Sequence, residues 1–317
     1  MFVLVAPFLW TFDDQGLTYA IPDFLAEENI QEGNIVEIPL REKRVLAVVL
    51  NISKDENINF EKEKIKDILK KKWDITLYPY QRELLKWISG YYITPIHNSA
   101  SLFFPKNLKE KIQKEKLKHR EENYDYQFEN IKKLSQTQQE AYEKILVSKK
   151  KEILFWGLTG SGKTEIYILL TKYFLTLWKQ VLILVPEIIL WNQVGQRFQE
   201  VFWKDVIIIN SLISDATKTK YWQDIYAGNA KIIVWTRSSL FYPYKNLGLI
   251  IQDEEHDSSY DSDNSPRYKG SEIVQKISQL TGIKVIYASG TPSIDKMYKA
   301  KKWDEYIELI SLLEKYK

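Results

Sequence analysis

Residues 157–164 read Gly157-Leu158-Thr159-Gly160-Ser161-Gly162-Lys163-Thr164, a complete G-x-x-x-x-G-K-T loop. A short apolar run of strand character, Glu152-Ile153-Leu154-Phe155-Trp156, precedes it, and the residues from Thr164 to Leu170 read as an amphipathic helix. Strand, glycine loop and helix in this order make a phosphate cradle. Gly157, Gly160 and Gly162 permit positive φ and let backbone approach a ligand closely. The free N–H groups and the dipole at the helix start favour an anion. The loop, including Thr159 and Ser161, is expected to wrap the phosphates of a nucleotide. Lys163 reaches the β- and γ-phosphates and the Thr164 hydroxyl sits on Mg²⁺. The bland reading is a glycine turn before a helix with no ligand, and the full motif between strand and helix argues against it.

About ninety residues on, Ile250-Ile251-Gln252 runs into Asp253-Glu254-Glu255-His256-Asp257. Charge runs usually belong to solvated loops. This one caps an apolar stretch (Leu247, Leu249, Ile250, Ile251), so Asp253 falls at the C-terminal edge of a strand, where open α/β sheets bind ligands. Asp253 is expected to hold Mg²⁺, Glu254 to polarise the attacking water, and His256, within D-E-x-H, to serve coupling. Lys163, Asp253, Glu254 and His256 are thus the expected catalytic group of a nucleoside triphosphatase.

Working outward, strand patterns at 152–156, 181–185, 206–209, 231–235, 247–252 and 283–288 alternate with helical ones. That predicts an α/β fold, a parallel sheet with helices on both faces. The chain before it reads differently. Residues 35–40 and 44–50 flank the charged turn Arg41-Glu42-Lys43 and suggest a hairpin, and a helical stretch follows over 80–92. The expected division is a β-rich domain over 1–105, a Lys/Glu-rich linker or solvated helix over 106–133, and the nucleotide-binding lobe over 134–317.

Composition limits the partners. The 317 residues carry 45 Lys and Arg against 42 Asp and Glu, a net +3, so any basic surface must be local. Cysteine is absent, which excludes disulfides and a zinc–thiolate site in these residues. The apolar start, Met1 to Trp10, lacks a basic n-region and is broken by Pro7, so it reads as a strand and not a signal peptide. The expectation is a cytoplasmic chain with no membrane partner. On residues alone, two P-loop classes stay open, a GTPase-like switch and a motor ATPase. No N-K-x-D base-reading motif follows the acidic run, which favours the motor.

Further motifs come in a fixed order: Pro186-Glu187, Thr236-Arg237-Ser238-Ser239-Leu240-Phe241, Asp253-Glu254-Glu255-His256-Asp257-Ser258-Ser259-Tyr260, Arg267-Tyr268 and Ser289-Gly290-Thr291-Pro292-Ser293. The series resembles the first motor lobe of superfamily 2 helicases, and in its wording the PriA family, the primosomal N-prime helicases of replication restart. The resemblance implies a RecA-like lobe, ATP and Mg²⁺ as cofactors, and 3′ to 5′ DNA unwinding. Leu134-Ser135-Gln136-Thr137-Gln138 matches the family's entry motif, which would set Gln138 on adenine. Pro186, Glu187, Thr236, Arg237 and Ser238 match loops that touch the DNA backbone. Arg267 and Tyr268 match the end of an aromatic-rich loop suited to stacking on a base. Ser289, Thr291 and Pro292 match the loop that links hydrolysis to DNA. More loosely, Leu17-Thr18-Tyr19-Ala20-Ile21-Pro22 and Trp87-Ile88-Ser89-Gly90-Tyr91-Tyr92 resemble the family's domain for DNA 3′ ends, with Phe12-Asp13 and Leu17-Thr18 as alternative pocket residues.

The departures carry expectations too. The family adds a winged helix, a second motor lobe, a zinc-binding insert and a C-terminal domain. The resemblance therefore implies a fragment or half of a split enzyme, with forked or single-stranded DNA, a second lobe and primosome or single-strand-binding proteins as partners. The alternative is a non-catalytic DNA-binding adaptor with an inactive lobe. Ten tryptophans are also many. Trp178 and Trp235 stand where the family has glycine, and Trp203 and Trp303 look similar. That suggests a gene from a lineage reading UGA as glycine, written out with UGA as tryptophan, whereas Trp87 and Trp222 stand at positions where the family itself uses tryptophan.

Overall fold

The structure, a computed structural model, describes residues 1–11, 14–54, 65–113, 128–186, 194–208, 213–303 and 305–309. The chain forms two units, one of residues 1–119 with 263–268, the other of 120–262 with 269–317.

The second unit is built on a seven-stranded sheet. Its strands are β6 (Glu152–Gly157), β7 (Gln180–Leu184), β8 (Val206–Ile208), β9 (Ile232–Trp235), β10 (Leu247–Gln252), β11 (Lys284–Ser289) and β12 (Tyr306–Leu309). They lie in the order β12-β6-β11-β10-β7-β9-β8, and every pairing is parallel. Runs such as Val181-Leu182-Ile183-Leu184 are wholly buried, as strands covered on both faces must be. The six expected strands are all present. β12, a short edge strand of Tyr306-Ile307-Glu308-Leu309, is an addition that the sequence pattern did not announce.

Helices α4 (Gln136–Val147), α5 (Lys163–Thr176) and α6 (Val194–Phe202) pack one face, where Ala141, Ile145, Ile166, Leu170 and Phe198 join Ile153, Phe155, Ile183 and Ile251 in one core cluster. Helices α7 (Asp215–Ala227) and α8 (Gly270–Thr281) bury Trp222, Ile273, Val274 and Ile277 outside that cluster. Helix α9 (Ile294–Trp303) follows β11 and leads to β12.

The strand order has a consequence for chemistry. β11 lies between β6 and β10, so Ser289, Gly157 and Asp253 come off neighbouring strand ends.

At the opposite end of the sheet the chain returns from helix to strand through left-handed residues. Gly228 (φ +79°) caps α7 and Gly282 (φ +74°) caps α8, the residue type this conformation favours. Trp178 (φ +58°) and Trp203 (φ +50°) do the same work after α5 and α6, with their rings 75% and 57% exposed. Trp235 differs. It ends β9, is buried, and packs edge-on against Tyr242 with centroids 4.5 Å apart. Trp222 is buried too, stacked on Tyr226.

The first unit holds a five-stranded antiparallel sheet of β1 (Phe2–Pro7), β2 (Leu17–Ala20), β3 (Asn34–Leu40), β4 (Lys43–Ser53) and β5 (Lys70–Thr76), ordered β2-β1-β4-β3-β5. The expected hairpin is β3–β4, in register from Ile35↔Val48 to Leu40↔Lys43, with Arg41 at φ +55° in its tight turn. Val3, Val5, Val36, Ile38, Ala47 and Val49 form its core. Helix α1 (Pro79–Tyr91) buries Leu84, Leu85 and Ile88, and α2 (Ile96–Leu102) and α3 (Lys106–Gln113) follow. Residues 263–268 belong to this unit, where Ser265 Oγ lies 3.4 Å from Thr94 Oγ1 and accepts from Asn98 Nδ2 at 3.3 Å. No helix among the described residues is long and apolar enough to cross a membrane.

Candidate functional site

The glycine loop folds as its spacing demands. Gly160 and Gly162 take φ of +79° and +86°, and Gly162 caps α5, so Lys163 begins the helix. Lys163 is buried. Its ammonium donates to Gly157 O at 2.6 Å and pairs with Glu254 Oε1 at 3.6 Å. The first contact bends the side chain back over its own loop, where nucleotide phosphates would lie, and the second ties it to the acidic motif.

Gln138 lies directly on this loop. It forms a capping box with Ser135 at the start of α4, accepting from Ser135 N at 2.8 Å, and its Nε2 donates to Ser161 O at 3.1 Å. A Cβ on Gly162 would collide with that amide, which explains the glycine. Gln138 thus spends its amide on the protein, at the edge of the cradle.

The acidic motif is held from all sides. Asp253 N donates to Leu184 O at 2.9 Å, Tyr260 Oη donates to Asp253 O at 2.5 Å, and Tyr167 Oη donates to Asp253 Oδ1 at 2.8 Å. Burial raises the Asp253 pKa to about 6, against the lowering effect of the Tyr167 hydrogen bond. Glu254 adopts φ +43°, a conformation costly for a side-chain-bearing residue. The turn is closed by Asp257 N donating to Glu254 O at 2.9 Å. That twist turns the Glu254 carboxylate toward Lys163 on one side and toward Ser289 Oγ and Gly290 N, both 3.4 Å from Oε2, on the other.

His256 Nδ1 lies 2.8 Å from Ser289 Oγ and its Nε2 lies 3.4 Å from Thr291 Oγ1. Glu255 accepts from Ser293 N at 2.7 Å. The D-E-x-H run is therefore stitched to the Ser289–Ser293 loop by three of its side chains, as adjacent strands allow. Pro292 lies within that loop, before α9.

These residues frame one cleft of about 300 Å³, lined by Thr159, Gly160, Gly162, Lys163, Thr164, Glu165, Arg197, Asp253 and Glu254. A larger cavity of about 590 Å³, lined by Lys150, Glu152, Tyr287, Lys296 and Glu305, lies away from the loop. The smaller cleft is the candidate site, because the glycine loop and both carboxylates line it. No group of three or more His, Asp or Glu among the described residues makes a metal cage by itself. The donor set fits Mg²⁺ all the same. Mg²⁺ prefers oxygen ligands and is commonly held by one or two carboxylates together with substrate phosphates, and Thr164 and Asp253 supply such oxygens in one cleft.

The remaining expected residues are placed as follows. Thr236, Arg237 and Ser238 lie at the C-terminal end of β9. Ser238 is exposed, and Arg237 donates to Ser259 O at 3.0 Å. Pro186 is buried just past β7, and Glu187 falls outside the described residues. Arg267 is exposed and donates to Asp263 O at 3.2 Å. Tyr268 is only 4% exposed, so in this conformation its ring is packed and offers no open face to a base. In the first unit, Leu17 and Thr18 lie on β2, and Phe12 and Asp13 fall outside the described residues.

Two contributors were not anticipated. Tyr167 reads in sequence as part of the helix's apolar face. Arg197, on α6, makes a bidentate pair with Glu165 at 2.7 and 2.9 Å and lines the cleft. The signal for Tyr167 was its place one helical turn after Lys163; nothing local marked Arg197.

Comparison with known proteins gives these likenesses. Residues 120–294 match the family described as "Type III restriction enzyme, res subunit", and residues 8–105 match "3'DNA-binding domain (3'BD)" of PriA. The chain is 35% identical over 298 residues to the replication restart protein PriA of Rickettsia prowazekii, covering 93% of this chain and 44% of that protein. It is 37% identical over 279 residues to PriA of Helicobacter pylori, covering 88% and 42%. The chain thus spans less than half the length of these relatives. Among solved structures, the Hef helicase domain of Pyrococcus furiosus aligns at 22% identity and a TM-score of 0.41, over 54% of this chain and 37% of that one.

Proposed function

We propose, for a chain that belongs to the Type III restriction enzyme res-subunit family and is homologous to the replication restart protein PriA, that it carries the ATP-binding lobe and DNA-end-binding unit of a 3′ to 5′ replication-restart helicase. The observation that supports this most is the convergence of Lys163, Thr164, Asp253 and Glu254 on one cleft, with Glu254 also tied to the Ser289–Gly290 turn.

In this reading the loop N–H groups and Lys163 bind the β- and γ-phosphates. Thr164 and Asp253 hold Mg²⁺, which neutralises phosphate charge when bound. Glu254 orients water toward the γ-phosphorus. His256 and Glu255 pass the state of that site to the Ser289–Ser293 loop, and Arg237 contributes a cation for the DNA backbone. The first unit takes a DNA end. A second motor lobe supplies the arginine that phosphoryl transfer in such motors uses. Primosome and single-strand-binding proteins are the expected partners, in the cytoplasm.

The test is nucleotide choice and DNA dependence. A full-length helicase containing these residues should hydrolyse ATP in preference to GTP, and forked or single-stranded DNA should stimulate it. The 317-residue chain should bind the same DNA with affinity that falls as salt rises. Preference for GTP with no response to DNA would overturn the motor reading, and DNA binding without any hydrolysis in the full-length protein would favour an adaptor.

A further inference from the structure

Tyr167 follows Lys163 by four residues on α5, so the two side chains leave the same face of one helix, a turn apart. Its ring is fully buried in the core and meets Phe155 of β6 edge to face, with centroids 6.5 Å apart. A phenylalanine would fill that space equally well. What tyrosine adds is one hydroxyl, and that hydroxyl is spent on Asp253 Oδ1 at 2.8 Å. A phenol is neutral near pH 7 and donates, and a carboxylate is the strong acceptor for it.

Two other bonds fix the Asp253 main chain, through Leu184 O and Tyr260 Oη, and the carboxylate also accepts a hydrogen bond from the Glu254 backbone N–H. The main-chain bonds do not orient the carboxylate. Tyr167 is the side chain that does, alongside that backbone N–H. We infer that Tyr167 is the positioning residue for the divalent cation: its hydroxyl holds one oxygen of Asp253 so that the carboxylate presents itself to a metal bound beside Thr164. The inference rests on the nucleotide–Mg²⁺ reading above and adds a residue that reading does not contain.

The arrangement also explains why one helix carries both groups. Lys163 addresses the phosphates and Tyr167 addresses the metal's carboxylate. A rigid helical turn therefore sets the distance between the two charges that a nucleotide–metal complex must meet. Hydrogen bonds that orient a metal-binding carboxylate typically carry about 10- to 100-fold in metal affinity.

Tyr167→Phe removes only the oxygen. Binding of a fluorescent ADP analogue should be measured across a Mg²⁺ titration and again in chelator, with Mn²⁺ binding to the ADP complex followed by electron paramagnetic resonance. The expected result is a rise of about tenfold in the cation concentration at half-saturation, with affinity for ADP in chelator unchanged. In the Asp253→Asn background, Tyr167→Phe should add no further shift, which separates positioning from any general loss of packing. An unchanged cation titration in the single variant overturns the inference. So does a loss of ADP affinity that is equal with and without metal, the mark of a merely structural hydroxyl. If the unaltered protein binds no nucleotide, the fault lies in the nucleotide-site reading itself, and the inference falls with it.

Discussion

The two ends of the seven-stranded sheet do different work. At the C-terminal ends of the strands the left-handed residues surround the candidate cleft: Gly160 and Gly162 in the glycine loop, and Glu254 at φ +43°. At the N-terminal ends the backbone is twisted only to turn a helix back into a strand, at Trp178, Trp203, Gly228 and Gly282. The same left-handed conformation lines the candidate cleft at one end and reverses the chain at the other. Substitutions at the first end should change turnover and binding while barely moving stability; at the second they should do the reverse.

The largest effect is expected from Glu254→Gln in a full-length helicase containing these residues. ATP should still bind, and turnover should fall by roughly 10²- to 10⁴-fold, the range for loss of a group that handles the attacking water's proton. Unchanged hydrolysis in a single-turnover assay would remove Glu254 from the role.

Lys163→Ala comes next. It deletes a charge-assisted contact to phosphate of about 1.5–3 kcal/mol, so nucleotide affinity by calorimetry should weaken about 10- to 100-fold. Retained affinity would mean that the cleft does not bind through its phosphate loop.

Away from the cleft, Lys296 beside the large cavity gives a pH-dependent case. Burial pushes it down to about 8, with Glu152 and Glu255 opposing the shift. Its folded-state pKa lies below the ordinary lysine value, so the unfolded chain binds more protons above pH 8. Stability should therefore rise with pH between about 8 and 10.5. Lys296→Met should stabilise the protein at pH 7 by up to about 3 kcal/mol, less the cation–π contact with Tyr287 that it gives up, an advantage that fades toward pH 10.5 in denaturant titrations. ATP affinity should not change.

The smallest effect sharpens the comparison most. Left-handed backbone costs a residue with a side chain about 1–2 kcal/mol, and Trp178 and Trp203 stay mostly exposed. Trp178→Gly and Trp203→Gly should each raise stability by about 1 kcal/mol and leave nucleotide binding alone. Peptide mass spectrometry of the protein from its own cells should find glycine at both positions. Tryptophan there would sink the decoding hypothesis, whatever the stability result.

How far the sequence could be read depended on how local each signal was. The six strands showed because strands covered on both faces are runs of Val, Ile and Leu, and the phosphate loop showed because its glycines are spaced by the turn they make. β12 hid because an edge strand needs no continuous apolar run, and Glu308 interrupts it. Tyr167 hid because the partner that gives its hydroxyl meaning is 86 residues away. The odd tryptophans were visible as oddities, but only backbone angles divide them: 178 and 203 sit at glycine-like φ, whereas 235 is an ordinary strand residue with its ring packed on Tyr242.

Residues 263–268 are counted with the first unit although the chain on either side belongs to the second. The polypeptide therefore passes from one unit to the other three times, not once. A protease that nicked the chain near residue 119 would free residues 1–119 and leave the 263–268 part of the first unit on the other piece. A gene cut at that point would yield a first unit lacking Ser265, the residue that Thr94 and Asn98 meet. Dissection into independently expressed halves should thus be attempted with the 263–268 segment supplied to the first unit by a linker.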